Sequence, residues 1–319
     1  NWVFGSTTDI LSITTSGTGG LEAAVVNTLS PGDRVLSVSI GSFGDRLKSI
    51  AKTYGADVVS YALEWGEAAD PAVIGKMQDE DGTIKAVLVT HNETSTGVTN
   101  PLEAIAKEVR ARNRLIIVDA VSSMSSIPCP VERWDLDVVV SGSQKGWMVP
   151  PGLAFLYMSE RAWQANAEAK MPRFYFDAAR TRDSLAKLQN PWTPAMSIYY
   201  AMDKAFELIR AEGLEGVFTR HEAIANYTRQ RVKGLGLSLV PVDESRASNT
   251  VTAVWWPEGV DGKSISKRAR EEFGIVLGGG QGKLEGKIFR VGHLGWVQQH
   301  EVAEALDVVE QLLAEAKAG

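Results

Sequence analysis

The sequence is nearly free of cysteine: Cys129 is the single thiol among 319 residues. One thiol cannot form an intramolecular disulfide, and it cannot by itself hold structural zinc or an iron–sulfur cluster, which usually take about four ligands. The count therefore excludes a disulfide framework, predicts no metal site and favours a reducing compartment.

The chain also lacks an excess of positive charge and any long apolar run. Its 33 Lys and Arg residues are outnumbered by 39 Asp and Glu, for a net charge of −6, whereas nucleic acid or an anionic membrane would favour a basic face. No run approaches the roughly 18 apolar residues that a membrane helix needs, and no charged-then-apolar signal segment opens the sequence. We expect a soluble protein of the cytoplasm or an organelle lumen that acts on small molecules, with neither nucleic acid nor a membrane as a partner.

What the sequence does contain is an alternation of short apolar runs with helical patterns. The apolar runs fall at 9–15, 34–38, 58–61, 86–90, 115–119 and 137–141. Strands that alternate with helices predict an α/β fold with a mostly parallel sheet covered on both sides. After about residue 194 the pattern becomes helical, and a smaller α+β unit follows. We therefore predict two domains, at residues 1–215 and 216–319.

The loop after the first apolar run is rich in small residues and leads directly into a helix. It reads Ser-Gly-Thr-Gly-Gly-Leu-Glu-Ala from Ser16. Backbone amides at such a helix N-terminus form a site suited to a phosphate, and the alternative is a simple tight turn. Glu22 stands where a dinucleotide fingerprint needs its third glycine, and no Gly-Lys-Ser/Thr follows to make a P-loop.

An acidic residue and a lysine follow two later apolar runs. Asp119 ends the run 115–119 among apolar neighbours, where a carboxylate needs a cationic partner or else caps the next turn. Lys145 lies in the sequence Ser-Gly-Ser-Gln-Lys, shortly before Pro-Pro-Gly. An enclosed lysine suits Schiff-base chemistry, although a surface lysine is the commoner case. Since loops at the carboxyl ends of strands bind ligands in such sheets, the three loops together offer the fixed points that a pyridoxal phosphate ring requires.

With these motifs the sequence resembles the class V aminotransferases of the pyridoxal phosphate fold type I superfamily, and within them the alanine–glyoxylate and serine–glyoxylate group. The resemblance runs from residue 9 to the C-terminus and is most specific at 16–23, 41–46, 91–97, 118–122, 141–152 and 286–295. It implies a large domain with a mostly parallel seven-stranded sheet, a smaller C-terminal α+β domain, pyridoxal phosphate as cofactor, and a homodimer with shared active sites. It also implies transfer of the amino group of alanine or serine to glyoxylate, giving glycine and a 2-oxo acid.

The resemblance assigns a role to each matching position. Lys145 would hold the cofactor as a Schiff base and move the substrate proton, Asp119 would keep the pyridine nitrogen protonated, and Arg290 would bind the substrate carboxylate. Phe43 would stack on the ring, and Thr94 would hydrogen-bond its oxygen or the carboxylate region. The remaining implied cofactor contacts are Ser16, Gly17, Thr18, Val121, Gln144 and, reaching the phosphate of the neighbouring subunit, Thr193.

Several residues have two interpretations. His293 is either catalytic or a satisfied buried histidine, and 278–280, three consecutive glycines, form either a loop that closes over substrate or a plain turn. The Trp255–Trp256 pair is interpreted as packing.

Two further functions stay open at this stage. A cysteine desulfurase-like lyase would need a mobile nucleophilic cysteine, whereas Cys129 lies between two prolines. A catalytically inert subunit would keep the fold without the chemistry. Some members of the group carry the label of a soluble hydrogenase subunit, but one cysteine cannot supply the thiolates of a metal hydrogenase site. Members of the group begin with a Pro-Gly-Pro arm and a helix before the first strand, and neither is found here, so we expect a fragment.

Overall fold

The computed structural model of the chain describes residues 1–318, with side chains through residue 316. Its strands are β1 (Leu11–Ile13), β2 (Arg34–Ser39), β3 (Asp57–Ala62), β4 (Ala86–Thr90), β5 (Asn92–Glu93), β6 (Val98–Thr99), β7 (Leu115–Asp119), β8 (Val138–Gly142), β9 (Ala154–Met158), β10 (Val251–Trp255), β11 (Gly278–Gly279) and β12 (Ile288–Gly292). Its helices are α1 (Gly17–Thr28), α2 (Ser42–Thr53), α3 (Pro71–Glu80), α4 (Leu102–Ala111), α5 (Glu160–Glu168), α6 (Ala178–Leu185), α7 (Met196–Glu212), α8 (Leu214–Gly234), α9 (Gly262–Phe273) and α10 (Gln299–Ala318).

Seven strands form the central sheet, in the order β1-β9-β8-β7-β4-β2-β3. Strands β3, β2, β4, β7 and β8 run parallel, and β9 is antiparallel to both of its neighbours, β8 and β1. The structure confirms the α/β fold with a mostly parallel seven-stranded sheet. The apolar runs had not separately identified β9. It follows β8 through the Lys145 loop alone, without a crossover helix, and so it can only return antiparallel.

Small residues let α1 lie very close to the sheet. A Cβ atom at Gly20 would stand 2.7 Å from Cγ1 of Val140 on β8, and one at Gly17 would stand 2.8 Å from Cγ2 of Val121, just beyond β7. Such distances are too short for any side chain other than glycine. The first turn of α1 is thereby held against the carboxyl ends of β7 and β8.

A second, three-stranded sheet is built from the C-terminal third, in the order β10-β12-β11 with antiparallel pairing. Phe289 on β12 is fully buried and packs against Trp256, with their ring centroids 4.2 Å apart. Its core also includes residues of α8, α9 and α10. The domain boundary near residue 215 stays a prediction, and α8 begins at Leu214. Among the described residues, every helix is too short or too polar to cross a membrane.

Candidate active site

The register of the parallel strands brings three predicted site segments to one edge of the sheet. Thr90 at the end of β4 pairs with Asp119 at the end of β7, and Asp119 pairs with Val140 near the end of β8. The loops that follow β4, β7 and β8 therefore leave the sheet side by side. Thr94 and Lys145 lie in the first and the last of these loops.

Asp119 is a buried carboxylate with an unusual pKa. Its side chain is 4% exposed, and one oxygen accepts a hydrogen bond from the backbone N–H of Val121 at 3.0 Å. Burial, with a smaller contribution from the negative charge of Glu93, raises the pKa of Asp119 to about 7, while the hydrogen bond from Val121 and the charges of Arg46 and Lys145 act in the opposite direction. An ionised Asp119 therefore needs a positive partner inside the site.

Lys145 is half-buried in a loop that is held by two side-chain hydrogen bonds. The hydroxyl of Ser143 donates to the carbonyl of Pro150 at 2.8 Å, and the indole N–H of Trp147 donates to Ser141 Oγ at 2.8 Å. Burial lowers the pKa of the Lys145 amine, the charge of Arg290 lowers it further, and Asp119 acts in the opposite direction. A lowered pKa raises the fraction of neutral amine, the form that can act as a nucleophile or base.

The first turn of α1 has no side-chain cap. Ser16 is the N-cap residue, but its side chain makes no capping hydrogen bond, and the first turn contains no acidic residue. The first N–H groups of a helix have no partner within the helix, so they face whatever anion binds there. Gln144 is nearby in the Lys145 loop, and its Oε1 atom is buried without a hydrogen-bond partner among the described residues.

Glu93 is a site residue that sequence reasoning missed. Its carboxylate is fully buried and accepts hydrogen bonds from the N–H groups of Phe43 and Gly44, both at 3.0 Å, and of Ser95 at 3.1 Å. It thereby caps α2, whose own N-cap residue, Gly41, has no side chain. An acid next to Thr94, directly after a buried strand, was the available signal. Its partners lie some fifty positions earlier in the sequence.

Arg290 reaches the same edge from the second sheet. Its Nε donates to the carbonyl of Gly279 at 2.9 Å, and Nη1 donates to the carbonyl of Thr94 at 2.9 Å. The observed contact of Thr94 with Arg290 is thus through its backbone. Glycines 278 and 279, predicted to lie in a loop, form β11 and pair with Arg290 and Phe289. Without side chains they leave room for the Arg290 side chain to fold back along the strand.

Three other residues of interest lie apart from this cluster. Thr193 is exposed, and no hydrogen bond joins it to another described site residue. His293 is buried, its Nε2 lies 2.8 Å from Thr252 Oγ1, and burial lowers its pKa to about 3. This environment favours the structural interpretation of His293. Cys129 is buried and burial raises its pKa to about 12, so it offers no thiolate for a desulfurase reaction.

The residues present fit pyridoxal phosphate. The open first turn of α1 suits its phosphate, the half-buried amine of Lys145 suits its aldehyde, and the buried carboxylate of Asp119 suits a protonated ring nitrogen. Phe43 is positioned by Glu93 at the start of α2, on the same side of the site. Within the described chain, the first turn of α1 has no side-chain cap, and Asp119 accepts only the hydrogen bond from Val121.

Comparisons with known proteins agree with this geometry. The family model described as aminotransferase class V matches residues 3–285. A Synechococcus protein named soluble hydrogenase, small subunit, is 43% identical over 98% of this chain and 82% of its own length. A serine–glyoxylate aminotransferase of Methylorubrum extorquens is 37% identical over 98% of this chain and 80% of its own length. The crystal structure of an alanine–glyoxylate aminotransferase from Nostoc superposes with a TM-score of 0.93 at 32% identity, covering 98% of this chain and 84% of that one.

The raised pKa of Asp119 predicts a pH-dependent stability of the cofactor-free protein. Between the unfolded pKa of 3.8 and the folded value of about 7, the unfolded carboxyl releases its proton while the folded one keeps it. The free energy of unfolding therefore decreases as the pH rises through this window, by at most about 4 kcal/mol. Asp119→Asn removes this titration. The melting temperature of the wild type should therefore fall relative to that of the variant between pH 4 and pH 8.

The matched control is Asp203→Asn, which changes an exposed aspartate on α7. Its melting temperature should follow that of the wild type at every pH. Parallel melting curves for Asp119→Asn and the wild type would show that Asp119 is not desolvated in the folded protein.

Proposed function

The chain belongs to the class V aminotransferases, a family that uses pyridoxal phosphate, and from that premise we propose that it transfers the amino group of alanine or serine to glyoxylate, giving glycine and a 2-oxo acid. The observation that carries the proposal is the meeting of Lys145, Asp119 and Arg290 at one edge of the central sheet. The names of the Methylorubrum and Nostoc relatives support glyoxylate as the acceptor.

The proposed roles follow from the contacts of each side chain. When bound, the cofactor supplies a sink for the electrons left behind as the substrate Cα–H bond breaks. Lys145 would hold the cofactor covalently, and once the amino donor has displaced it, its free Nζ would take the proton from the substrate Cα, a task that its lowered pKa favours. Asp119 keeps a proton on the ring nitrogen. The buried carboxylate and the proton stabilise each other's charge.

Arg290 is proposed to bind the α-carboxylate that both substrates share. Two of its N–H groups are fixed on the carbonyls of Thr94 and Gly279, which sets the direction of the guanidinium. The remaining N–H groups are free to bind a carboxylate in a planar, two-point contact that lysine cannot make. Small donors suit a site with one carboxylate-binding arginine.

The name of the Synechococcus relative does not transfer to this chain. The described residues hold no group of three or more His, Cys, Asp and Glu side chains that could bind a metal ion. Retention of Lys145, Asp119 and Arg290 also favours an active enzyme over an inert subunit.

A homodimer with shared sites is supported by an apolar surface around Thr193. Phe174 is 67% exposed and stacks on Trp192 at 4.9 Å, and Tyr200, farther along on α7, is 72% exposed. Exposed aromatic residues in one region are typical of a protein interface. We propose that this surface binds a second copy, which would bring Thr193 to the phosphate end of the partner's site.

The reaction is tested with nitrogen-labelled donors. Protein loaded with pyridoxal phosphate is mixed with glyoxylate and labelled alanine, serine or aspartate, and labelled glycine is measured by mass spectrometry. We expect label transfer from alanine or serine. Lys145→Ala should reduce the rate by at least about a hundredfold, whereas Lys170→Ala, at an exposed lysine, should not.

If the wild type shows the visible absorbance of lysine-bound cofactor but forms no labelled glycine from any donor, the reaction is not glyoxylate transamination. Labelling from aspartate alone would replace the proposed donor with a dicarboxylate one.

The role of Arg290 predicts a selective effect on substrate affinity. Arg290→Gln removes a charged hydrogen-bond donor, so KM should rise about 10- to 100-fold for both the amino donor and glyoxylate. The cofactor Kd should stay near its wild-type value. Arg270→Gln, at an exposed arginine on α9, is the control. An unchanged KM for both substrates in Arg290→Gln would remove Arg290 from the site.

The proposed interface is tested by adding a charge at Tyr200, one of its exposed aromatic residues. Light scattering should give the wild type twice the mass of one chain, and Tyr200→Glu should halve that mass and weaken cofactor binding. Val242→Glu, at another highly exposed apolar residue, should do neither. A wild-type monomer that binds the cofactor tightly would contradict the shared site.

A further inference from the structure

Arg46 is a cation at the candidate site to which no role has yet been given. It lies on α2, three residues beyond Phe43, and its guanidinium carbon is 4.7 Å from the centroid of the Phe43 ring. Nη1 of Arg46 donates to Oγ1 of Thr18 at 3.2 Å. Arg46 therefore connects the predicted stacking residue with the first turn of α1.

The charge of Arg46 is not neutralised by the chain itself. Within residues 1–316, no acidic side chain forms an ion pair with it, whereas Lys48 on the same helix pairs with Asp45 at 2.6 Å. Its field reaches the site, because it lowers the pKa of both Asp119 and Lys145. Arg46 is exposed, so solvent can satisfy it, but its charge beside the open N-terminus of α1 favours an anion at this place.

The predicted phosphate-binding residues contain no full positive charge. Ser16, Gly17, Thr18, Gln144 and Thr193 are all neutral. The N-terminus of α1 contributes only about half a charge, while a phosphate monoester carries close to two negative charges at neutral pH. A cation is needed to balance the difference.

We propose that Arg46 binds the phosphate of the cofactor through its guanidinium, together with the first turn of α1. The proposal rests on the cofactor site described above, though not on the identity of the amino donor. Arginine matches phosphate geometry through paired N–H donors. Its contact with Thr18 places it at the phosphate end of the site, while the contacts of Arg290 with Thr94 and Gly279 define the carboxylate end.

The test compares ligands with and without the phosphate. Kd is measured by absorbance titration for pyridoxal phosphate and for pyridoxal, in the wild type and in Arg46→Gln, Arg46→Lys and Lys52→Gln. Lys52 is an exposed lysine in the last turn of α2, so its substitution removes the same charge from the same helix.

We expect Arg46→Gln to raise the Kd of pyridoxal phosphate about 10- to 100-fold. The Kd of pyridoxal should stay within about twofold of the wild-type value, since the ring contacts do not change. Arg46→Lys should recover part of the loss because it keeps the charge without the paired donors. Lys52→Gln should alter neither constant.

Equal weakening of both ligands by Arg46→Gln would overturn the proposal and leave Arg46 only the task of ordering Phe43. Unchanged binding of pyridoxal phosphate would overturn it too, and a raised KM for aspartate but not alanine would then assign Arg46 to a substrate carboxylate. The titrations contain no amino donor or acceptor. Failure of the transamination assay therefore leaves their outcome interpretable.

Discussion

The buried carboxylate of Glu93 is the contact on which the geometry of the candidate site depends. It accepts the N–H groups at the start of α2 and so fixes Phe43. The carbonyl of the next residue, Thr94, holds Arg290 from the second sheet. Burying a carboxylate is costly unless its hydrogen bonds are made. The turn after β4 is therefore restricted to a conformation that makes the hydrogen bonds to α2 and to Arg290 at the same time.

The candidate site contains several ionisable groups that are buried without a full counter-charge from the described chain. Burial raises the pKa of Asp119 and Glu93 and lowers that of Lys145 and Arg290, because a charge on any of these groups is poorly solvated there. A ligand with a protonated ring nitrogen and a phosphate supplies opposite charges at both ends. With the proposed roles, these charges are in place before the ligand binds, which is the condition for electrostatic preorganisation.

Local sequence patterns were enough to predict the parts of the site that lie at strand ends. The apolar runs 86–90 and 115–119 coincide with β4 and β7, and because parallel strands end at one edge, Asp119 and Lys145 could be expected to meet. The first run was too long, since β1 covers only Leu11–Ile13. Its flanking residues continue as exposed or half-buried connections.

Glu93 and Arg46 were missed because their partners, at residues 43–44 and 18, are distant in sequence. The periodicity of a helix or a strand gives no information about contacts between segments that are distant in sequence. The assignment of Gly278–Gly279 to β11 likewise depends on pairing with β12.

The distribution of the site over two sheets also has a consequence for the time at which it forms during synthesis. The core around the central sheet takes its last residue from α8, at Val217, whereas Arg290 follows roughly 70 residues later. Because N-terminal units generally fold first on the ribosome, at about 5 to 20 residues per second, the first turn of α1, Asp119 and Lys145 can come together some 4 to 14 seconds before Arg290 is synthesised. With the proposed roles, a nascent chain gains its cofactor-binding residues before the arginine proposed to bind the substrate.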